Sequence, residues 1–269
     1  MALTQEQAAV RLKFAAEVEA DSGGYLELYR QKFGKVLDTD NARELSADYA
    51  RSAESRARLS GSVHETAGTL VWRLWLEMLA EPDPAGLNRV LITAGGAGAG
   101  KTSTVTRLSR DAYDAAQIIY DTTLADLPSA VEKIEAALAA GKSVTVAYIH
   151  RPIEMAVRGV IQRATATGRT VPLTVLADNH FDAQRSVREI AARYEENPLV
   201  EVIIINNSGM LEEASFARLD FLLKRFYKKR TAVRRRAARA ARAEFRRLLR
   251  AGREAPQYVY EGILEEERR

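Results

Sequence analysis

The chain has 269 residues, enough to bury a sizeable core, and its 46% apolar and 28% charged residues are typical of an ordinary soluble protein. It contains no cysteine, which excludes disulfides and cysteine-ligated zinc sites, and its formal net charge is +4. No apolar stretch reaches the roughly 18 to 20 residues of a membrane span, so we expect a soluble, cytoplasmic protein that does not bind membranes.

Helical apolar spacing and stop signals divide the first 85 residues into several elements. We expect a long apolar helix that Ser62 caps and that ends at Pro82. The other elements expected here are a helix over 4–21 that Ser22, Gly23 and Gly24 end, a short helix up to Gly34, a strand over 35–40 and polar helical residues 41–59.

Apolar strands alternate with helices from residue 89 onward. This alternation, with the strand at 35–40, predicts an α/β fold with a parallel sheet of about five strands and helices on both faces. Residues 171–177 are ambiguous because Pro172 permits only a short or edge strand, and everything from Met210 onward is predicted to be helical. The predicted strands are 89–95, 117–121, 143–149 and 200–206, and the predicted helices are 101–115, 126–140, 153–167 and 182–195.

A glycine-rich loop follows the strand 89–95, and it reads GGAGAGKTS over residues 95–103. It fits the pattern GxxxxGK[ST], in which backbone N–H groups cradle phosphates at the start of a helix. Lys101 would contact the β- and γ-phosphates and Thr102 would bind Mg²⁺, so the loop predicts ATP or GTP as the ligand. The residues expected to bind the nucleotide are Gly95, Gly96, Ala97, Gly98, Ala99, Gly100, Lys101, Thr102 and Ser103. A dinucleotide loop is the alternative, because Gly96-x-Gly98 also occurs and Asp121 ends the next strand.

The stretch QIIYDTTLADL and the later stretch SVTVAYIHRPIEMAVRGVIQRATATGRTVP resemble consecutive segments of the zeta-toxin family of P-loop kinases. In that family an Asp-x-Asp-x-x-Arg motif follows the P-loop helix. Here the motif is found before the P-loop, in VLDTDNARELSADY, with Asp38, Asp40 and Arg43 at its fixed positions. We interpret this as a segment swap, which a parallel sheet tolerates because strand position depends on packing and crossover handedness.

The resemblance implies roles for individual residues. Asp40 would accept the proton of the acceptor hydroxyl or hold that hydroxyl in line, whereas in the alternative reading Asp38 and Asp40 only cap the helix that follows. The arginines could be ordinary surface residues and Asp121 could simply end a strand. His180 is expected to be structural or on the surface. The implied catalytic residues are Asp40, Lys101, Arg158, Arg163 and Arg169, and the implied substrate-binding residues are Asp38, Arg43, Asp121 and Thr123.

The resemblance further implies a toxin that phosphorylates UDP-N-acetylglucosamine and is opposed by an antitoxin. On this interpretation residues 1–34 form a helical N-terminal segment, 35–209 a P-loop kinase-like core and 210–269 a basic C-terminal helical extension. Residues 224–253 are dense in arginine and lysine and could bind nucleic acid, dock on acidic segments or be a solvated face. Three other functions stay open: a kinase for another hydroxyl, a nucleic-acid-associated NTPase and a nucleotide-sensing partner protein.

Overall fold

The computed structural model describes residues 3–108, 110–209, 211–219, 221 and 229–264, apart from the side chains of residues 102 and 108. A six-stranded sheet lies at its centre, in the order β1-β3-β2-β4-β5-β6. The first five strands are parallel, and β6 pairs antiparallel with β5. The α/β class with a largely parallel sheet is therefore confirmed. The strands are β1 Val36–Leu37, β2 Arg89–Ala94, β3 Ile118–Asp121, β4 Ser143–His150, β5 Val200–Asn207 and β6 Leu211–Ala214.

The sixth strand lies where the sequence predicted only helix. After β5 the chain turns back and Leu211–Ala214 pairs with the end of that strand, so that Asn206 lies opposite Glu212. The Asn206 amide donates a hydrogen bond of 2.8 Å to the Glu212 carboxylate. Pairing with an existing edge strand decides the conformation of this polar segment, which lacks the apolar alternation of an independent strand.

Two of the N-terminal helices begin at residues other than those expected from the sequence. The long helix begins at Ala53 because Ser52 and Ser55 form a reciprocal capping box, and Ser62 is buried inside that helix. The second helix begins directly after Asp21, whose side chain accepts the Gly24 N–H, so the glycines open this helix. The helices of this part are α1 Gln5–Ala20, α2 Ser22–Phe33, α3 Thr39–Arg43, α4 Ala47–Ala50 and α5 Ala53–Ala80.

The ambiguous segment after Pro172 is helical and forms the first turns of a helix that spans Leu173–Arg193. It starts at Leu173, with Pro172 in the N-cap position, and its buried side chains recur at helical spacing. The expected helix over 182–195 is thus the second half of a longer one. The remaining helices are α6 Lys101–Leu108, α7 Arg110–Ala115, α8 Leu127–Ala139, α9 Ile153–Thr167, α10 Leu173–Arg193, α11 Arg230–Arg250 and α12 Gln257–Leu264.

The basic helix α11 packs on α9 and α10. Its inner face buries Val233, Ala237 and Ala241. Arginines at its margins pair with acids of the neighbouring helices: Arg230 with Asp178 and Asp182, Arg234 with Asp178, and Arg236 with Glu154. Part of the basic charge is therefore neutralised inside the fold. No helix in the described ranges has the length and apolarity needed to cross a membrane.

Candidate active site

The phosphate loop has the geometry that its sequence predicts. It connects the carboxyl end of β2 to the first residue of α6, Lys101. Gly95, Gly98 and Gly100 have φ angles of +133°, +77° and +80°, which side chains other than hydrogen rarely permit. At Gly98 a Cβ atom would also lie 2.3 Å from the carbonyl oxygen of Ala156, at the start of α9. The glycines are thus needed both for the turn and for the close approach of α9.

Two residues that the sequence analysis did not single out hold this loop. The Arg151 guanidinium, just after β4, donates to the Gly98 carbonyl at 2.9 Å. The Asn207 amide, at the end of β5, donates to the Ala99 carbonyl at 2.8 Å. Both lie where a strand ends at the carboxyl edge of the sheet, and this position is the signal in the sequence that could have identified them.

His180 forms part of the packing behind the loop. It is buried, and its Nε2 lies 3.0 Å from the Ala97 carbonyl oxygen. Burial lowers the pKa of His180 to about 4, although the hydrogen bond to the Ala97 carbonyl acts in the opposite direction. The ring is therefore neutral at pH 7 and carries its proton on Nε2, because a carbonyl oxygen can only accept. This burial against the loop is in line with the expected structural role of His180.

Lys101 projects from the start of α6 towards the end of β3. Its Nζ atom lies 3.5 Å from the Asp121 carboxylate and 3.4 Å from the Gly95 carbonyl oxygen. The Thr93 hydroxyl donates to the same Asp121 oxygen at 2.8 Å. Asp121 therefore lies beside the phosphate loop. The carbonyl of Thr123, two residues later, accepts the Gly95 N–H at 3.2 Å.

The short strand β1 brings the Asp-x-Asp segment to the same edge of the sheet. β1 runs parallel to β3 with Leu37 beside Tyr120, so Asp38 follows its strand where Asp121 ends the neighbouring one. The Asp38 side chain accepts the Asp40 N–H at 2.8 Å and caps α3. The capping interpretation thus describes Asp38 but not the Asp40 carboxylate.

The Asp40 carboxylate lies among arginines. Its oxygens are 3.0 Å from the Arg43 guanidinium and 3.7 Å from that of Arg163. Arg169 is directed mainly to Glu44, at 3.0 Å, and reaches only the carbonyl oxygen of Asp40, at 3.5 Å. The structure thus brings Arg43 and Arg163 to the Asp40 carboxylate and places Arg169 beside them.

Arg158, the remaining arginine of the predicted site, points elsewhere. Its Nε atom lies 3.3 Å from the carboxylate of Glu244, a residue of α11 that is 3% exposed. Arg247 pairs with the same carboxylate at 2.7 Å. Arg158 therefore joins α9 to α11, and the structure does not place its guanidinium beside Asp40.

The two aspartates have opposite pKa shifts. Burial raises the pKa of Asp38 to about 7, and the charges of Asp40 and Asp121 add to the effect. Burial also acts to raise the pKa of Asp40, but the arginines around it and Lys101 outweigh that effect and lower it. At neutral pH Asp40 is therefore the ionised member of the pair, while Asp38 exchanges its proton near neutrality.

A cleft of about 620 Å³ joins these groups. Its wall includes the loop at Gly98 and Lys101 and continues past Asp121 to Asp40 and Arg163. The predicted residues Asp38, Arg43 and Thr123 line it too, together with His64, Trp72, Tyr120 and Lys133, which the sequence analysis did not assign to the site. The Thr102 side chain, the predicted Mg²⁺ ligand, lies outside the described part of the structure.

A phosphate loop between a parallel strand and a helix, opening into a cleft at the carboxyl edge of the sheet, defines a P-loop nucleotide-binding protein. Residues 106–212 match the family model of the zeta toxin. The resemblance predicted from the sequence is therefore confirmed over these residues, and with it the class of the protein, a P-loop kinase. The P-loop and the segment Asp38–Arg43 precede the matched region.

Several solved structures are similar to this chain at low sequence identity. The native AvrRxo1-ORF1:AvrRxo1-ORF2 complex is 13% identical, with a TM-score of 0.49, over 88% of this chain and 86% of that chain. The same complex with ATP is 14% identical, with a TM-score of 0.49, over 77% and 91%. A structure from the PezAT chromosomal toxin–antitoxin system of Streptococcus pneumoniae is 12% identical, with a TM-score of 0.44, over 92% and 98%. No curated protein matches the chain in sequence.

Proposed function

We propose that the protein transfers the γ-phosphate of ATP to a hydroxyl of UDP-N-acetylglucosamine and acts as a toxin that an antitoxin neutralises. The observation that carries this proposal is one cleft with Lys101 at one end and the Asp40 carboxylate, flanked by Arg43 and Arg163, further along its wall. The sugar nucleotide and the antitoxin come from the zeta-toxin resemblance. The cleft supports the phosphoryl-transfer chemistry.

Different residues of the cleft would bind the nucleotide, orient the acceptor hydroxyl and neutralise the charge of the transferring group. The loop N–H groups and Lys101 would bind the nucleotide together with Mg²⁺, and the nucleotide supplies the phosphoryl group. Asp40, ionised at neutral pH, would accept the hydrogen bond of the acceptor hydroxyl, hold it in line and take up its proton. Arg163, 36% exposed and directed to Asp40, would neutralise charge on the transferring group.

The proposal is tested by incubating the protein with Mg²⁺, UDP-N-acetylglucosamine and either ATP or GTP, followed by mass spectrometry for a phosphorylated sugar nucleotide. ATP is expected to be the donor. Lys101→Ala should remove nucleotide binding, whereas Asp40→Asn should remove transfer while ATP still binds. An enzyme preparation that phosphorylates another small molecule but not UDP-N-acetylglucosamine would contradict the proposed substrate and leave the kinase chemistry standing.

A row of exposed arginines on α11 favours a second candidate, a nucleic-acid-dependent NTPase. Arg235, Arg239, Arg246 and Arg250 recur at helical spacing on the outer face. Among the described residues no carboxylate forms an ion pair with any of them, so the row is free to contact phosphates. Replacing these four by Gln is the informative change, because the inner face of the helix is part of the core. ATP hydrolysis stimulated by DNA or RNA, and unstimulated in that variant, would favour this candidate over the first.

A further inference from the structure

Two lysines are buried in the described part of the chain, and their surroundings differ. Lys142 is 3% exposed and donates to three oxygens: the Glu81 carbonyl at 3.0 Å, the Asn88 amide oxygen at 3.1 Å and the Gln117 amide oxygen at 2.8 Å. An ammonium group has three N–H donors, so Lys142 is fully satisfied inside the protein. It does not line the cleft, and its role is structural.

Lys133, on α8, is 9% exposed and lacks this complete set of partners. Its Nζ donates to the carbonyl and the hydroxyl of Ser129, at 3.2 and 2.5 Å, and no ion pair to it is present among the described residues. The ammonium lies 5.6 Å from the ring centre of Trp72 and 5.2 Å from that of Tyr120. Burial lowers its pKa, although the charges of Glu132 and Asp126 act in the opposite direction. One donor therefore remains, and Lys133 with all three of these neighbours lines the cleft.

A buried ammonium that forms no ion pair is unfavourable, and an anion entering the cleft would supply that partner. We propose that Lys133 binds an anionic group of the acceptor substrate, a phosphate or a carboxylate, and so selects acceptors by their charge. This inference rests on the proposed kinase function, since it assigns the cleft beyond Lys101 to the acceptor. Trp72 and Tyr120 flank the ammonium and fix its position. A neutral acceptor could accept the third hydrogen bond but would leave the ammonium charge without an ion-pair partner.

The test measures anion binding without any sugar or phosphate transfer, so its outcome does not depend on whether UDP-N-acetylglucosamine is phosphorylated. The protein is first saturated with Mg²⁺ and a non-hydrolysable ATP analogue, which occupies the phosphate loop. Inorganic pyrophosphate and malonate are then titrated separately, and the shift in Tm is followed. A shift with pyrophosphate indicates a phosphate-bearing acceptor, and a shift with malonate alone indicates a carboxylate-bearing one.

Lys133→Met, which keeps the length of the stem, should weaken binding of the anion about tenfold to a hundredfold, as expected for the loss of a charged hydrogen bond. Lys142→Met is the matched control and should keep the wild-type anion affinity. If Lys133→Met does not fold, Lys133→Gln replaces it. In a turnover assay the Lys133 variants should raise KM for a charged acceptor more than they lower kcat. An equal anion-induced shift in wild type and Lys133→Met, or no shift in wild type with either anion, would overturn the inference.

Discussion

Asp38 offers a thermodynamic test of the electrostatics of the cleft. Its pKa is raised from 3.8 to about 7 in the folded protein by burial and by the charges of Asp40 and Asp121. The native state therefore keeps a proton that the unfolded chain has already released between about pH 4 and pH 7, and stability falls as pH rises through this window. Above pH 7 the ionised group costs at most about 4 kcal/mol, from about three pKa units at ~1.36 kcal/mol each.

Asp38→Asn removes this charge and keeps an oxygen that can accept the Asp40 N–H, so the cap of α3 is preserved. Urea unfolding of the nucleotide-free protein should show the variant more stable than wild type at pH 8, by an amount that shrinks towards zero near pH 4. Asp40→Asn is the control of opposite sign. The pKa of Asp40 is lowered, so its stabilising contribution is present above pH 4 and is lost as pH falls. A gain for Asp38→Asn that is the same at pH 5 and pH 8, or no gain at pH 8, would refute this account of the two carboxylates.

Three further substitutions test separate parts of the structure. Gly98→Ala places a Cβ atom 2.3 Å from the Ala156 carbonyl oxygen at a φ of +77°, so ATP affinity measured by calorimetry should fall at least tenfold. Arg163→Ala should lower kcat about tenfold or more, measured as phosphorylation of the acceptor, with little change in ATP affinity. An equal loss in kcat and in ATP affinity would contradict the position of Arg163 beside Asp40. Glu244→Gln weakens the link between α9 and α11 and should lower the free energy of unfolding, measured with urea, by about 1 kcal/mol, because both arginines are more than half exposed and solvent screens the pairing.

The sequence predicted the elements that a local pattern marks. Continuous apolar runs identified the four central parallel strands, and the glycine pattern identified the phosphate loop, because both patterns are read from consecutive residues. The strand β6 was missed since its partner, the end of β5, determines its conformation. The true start of α5 was missed because two serines form its capping box, and a reciprocal Ser–Ser pair is less distinctive than Ser with Glu.

The side chains of the cleft were predictable only in part. Lys101 and Asp40 could be predicted, because each belongs to a short motif that follows a predicted strand, and both features can be recognised in a sequence. Lys133 and Trp72 meet because α5 and α8 pack near one another, a contact between residues distant in the chain. The pairing of Arg158 with Glu244 likewise depends on how α11 docks. An arginine on a helix next to the site can face either the cleft or the next helix, and only the packing decides which.

The position of the Asp-x-Asp segment before the P-loop has a simple physical basis. β1 pairs with β3 although β2 lies between them in the chain, so neighbouring strand ends collect at one edge whatever their order. The helix α5 has 28 residues and is about 42 Å long at ~1.5 Å per residue. This length is more than enough to return the chain from the carboxyl ends of the strands to their amino ends, where β2 begins. This helix also contributes His64, Gly68 and Trp72 to the cleft wall. The connection between β1 and β2 thus also forms part of the cleft wall, so under the proposed function we expect the choice of acceptor to depend on α5.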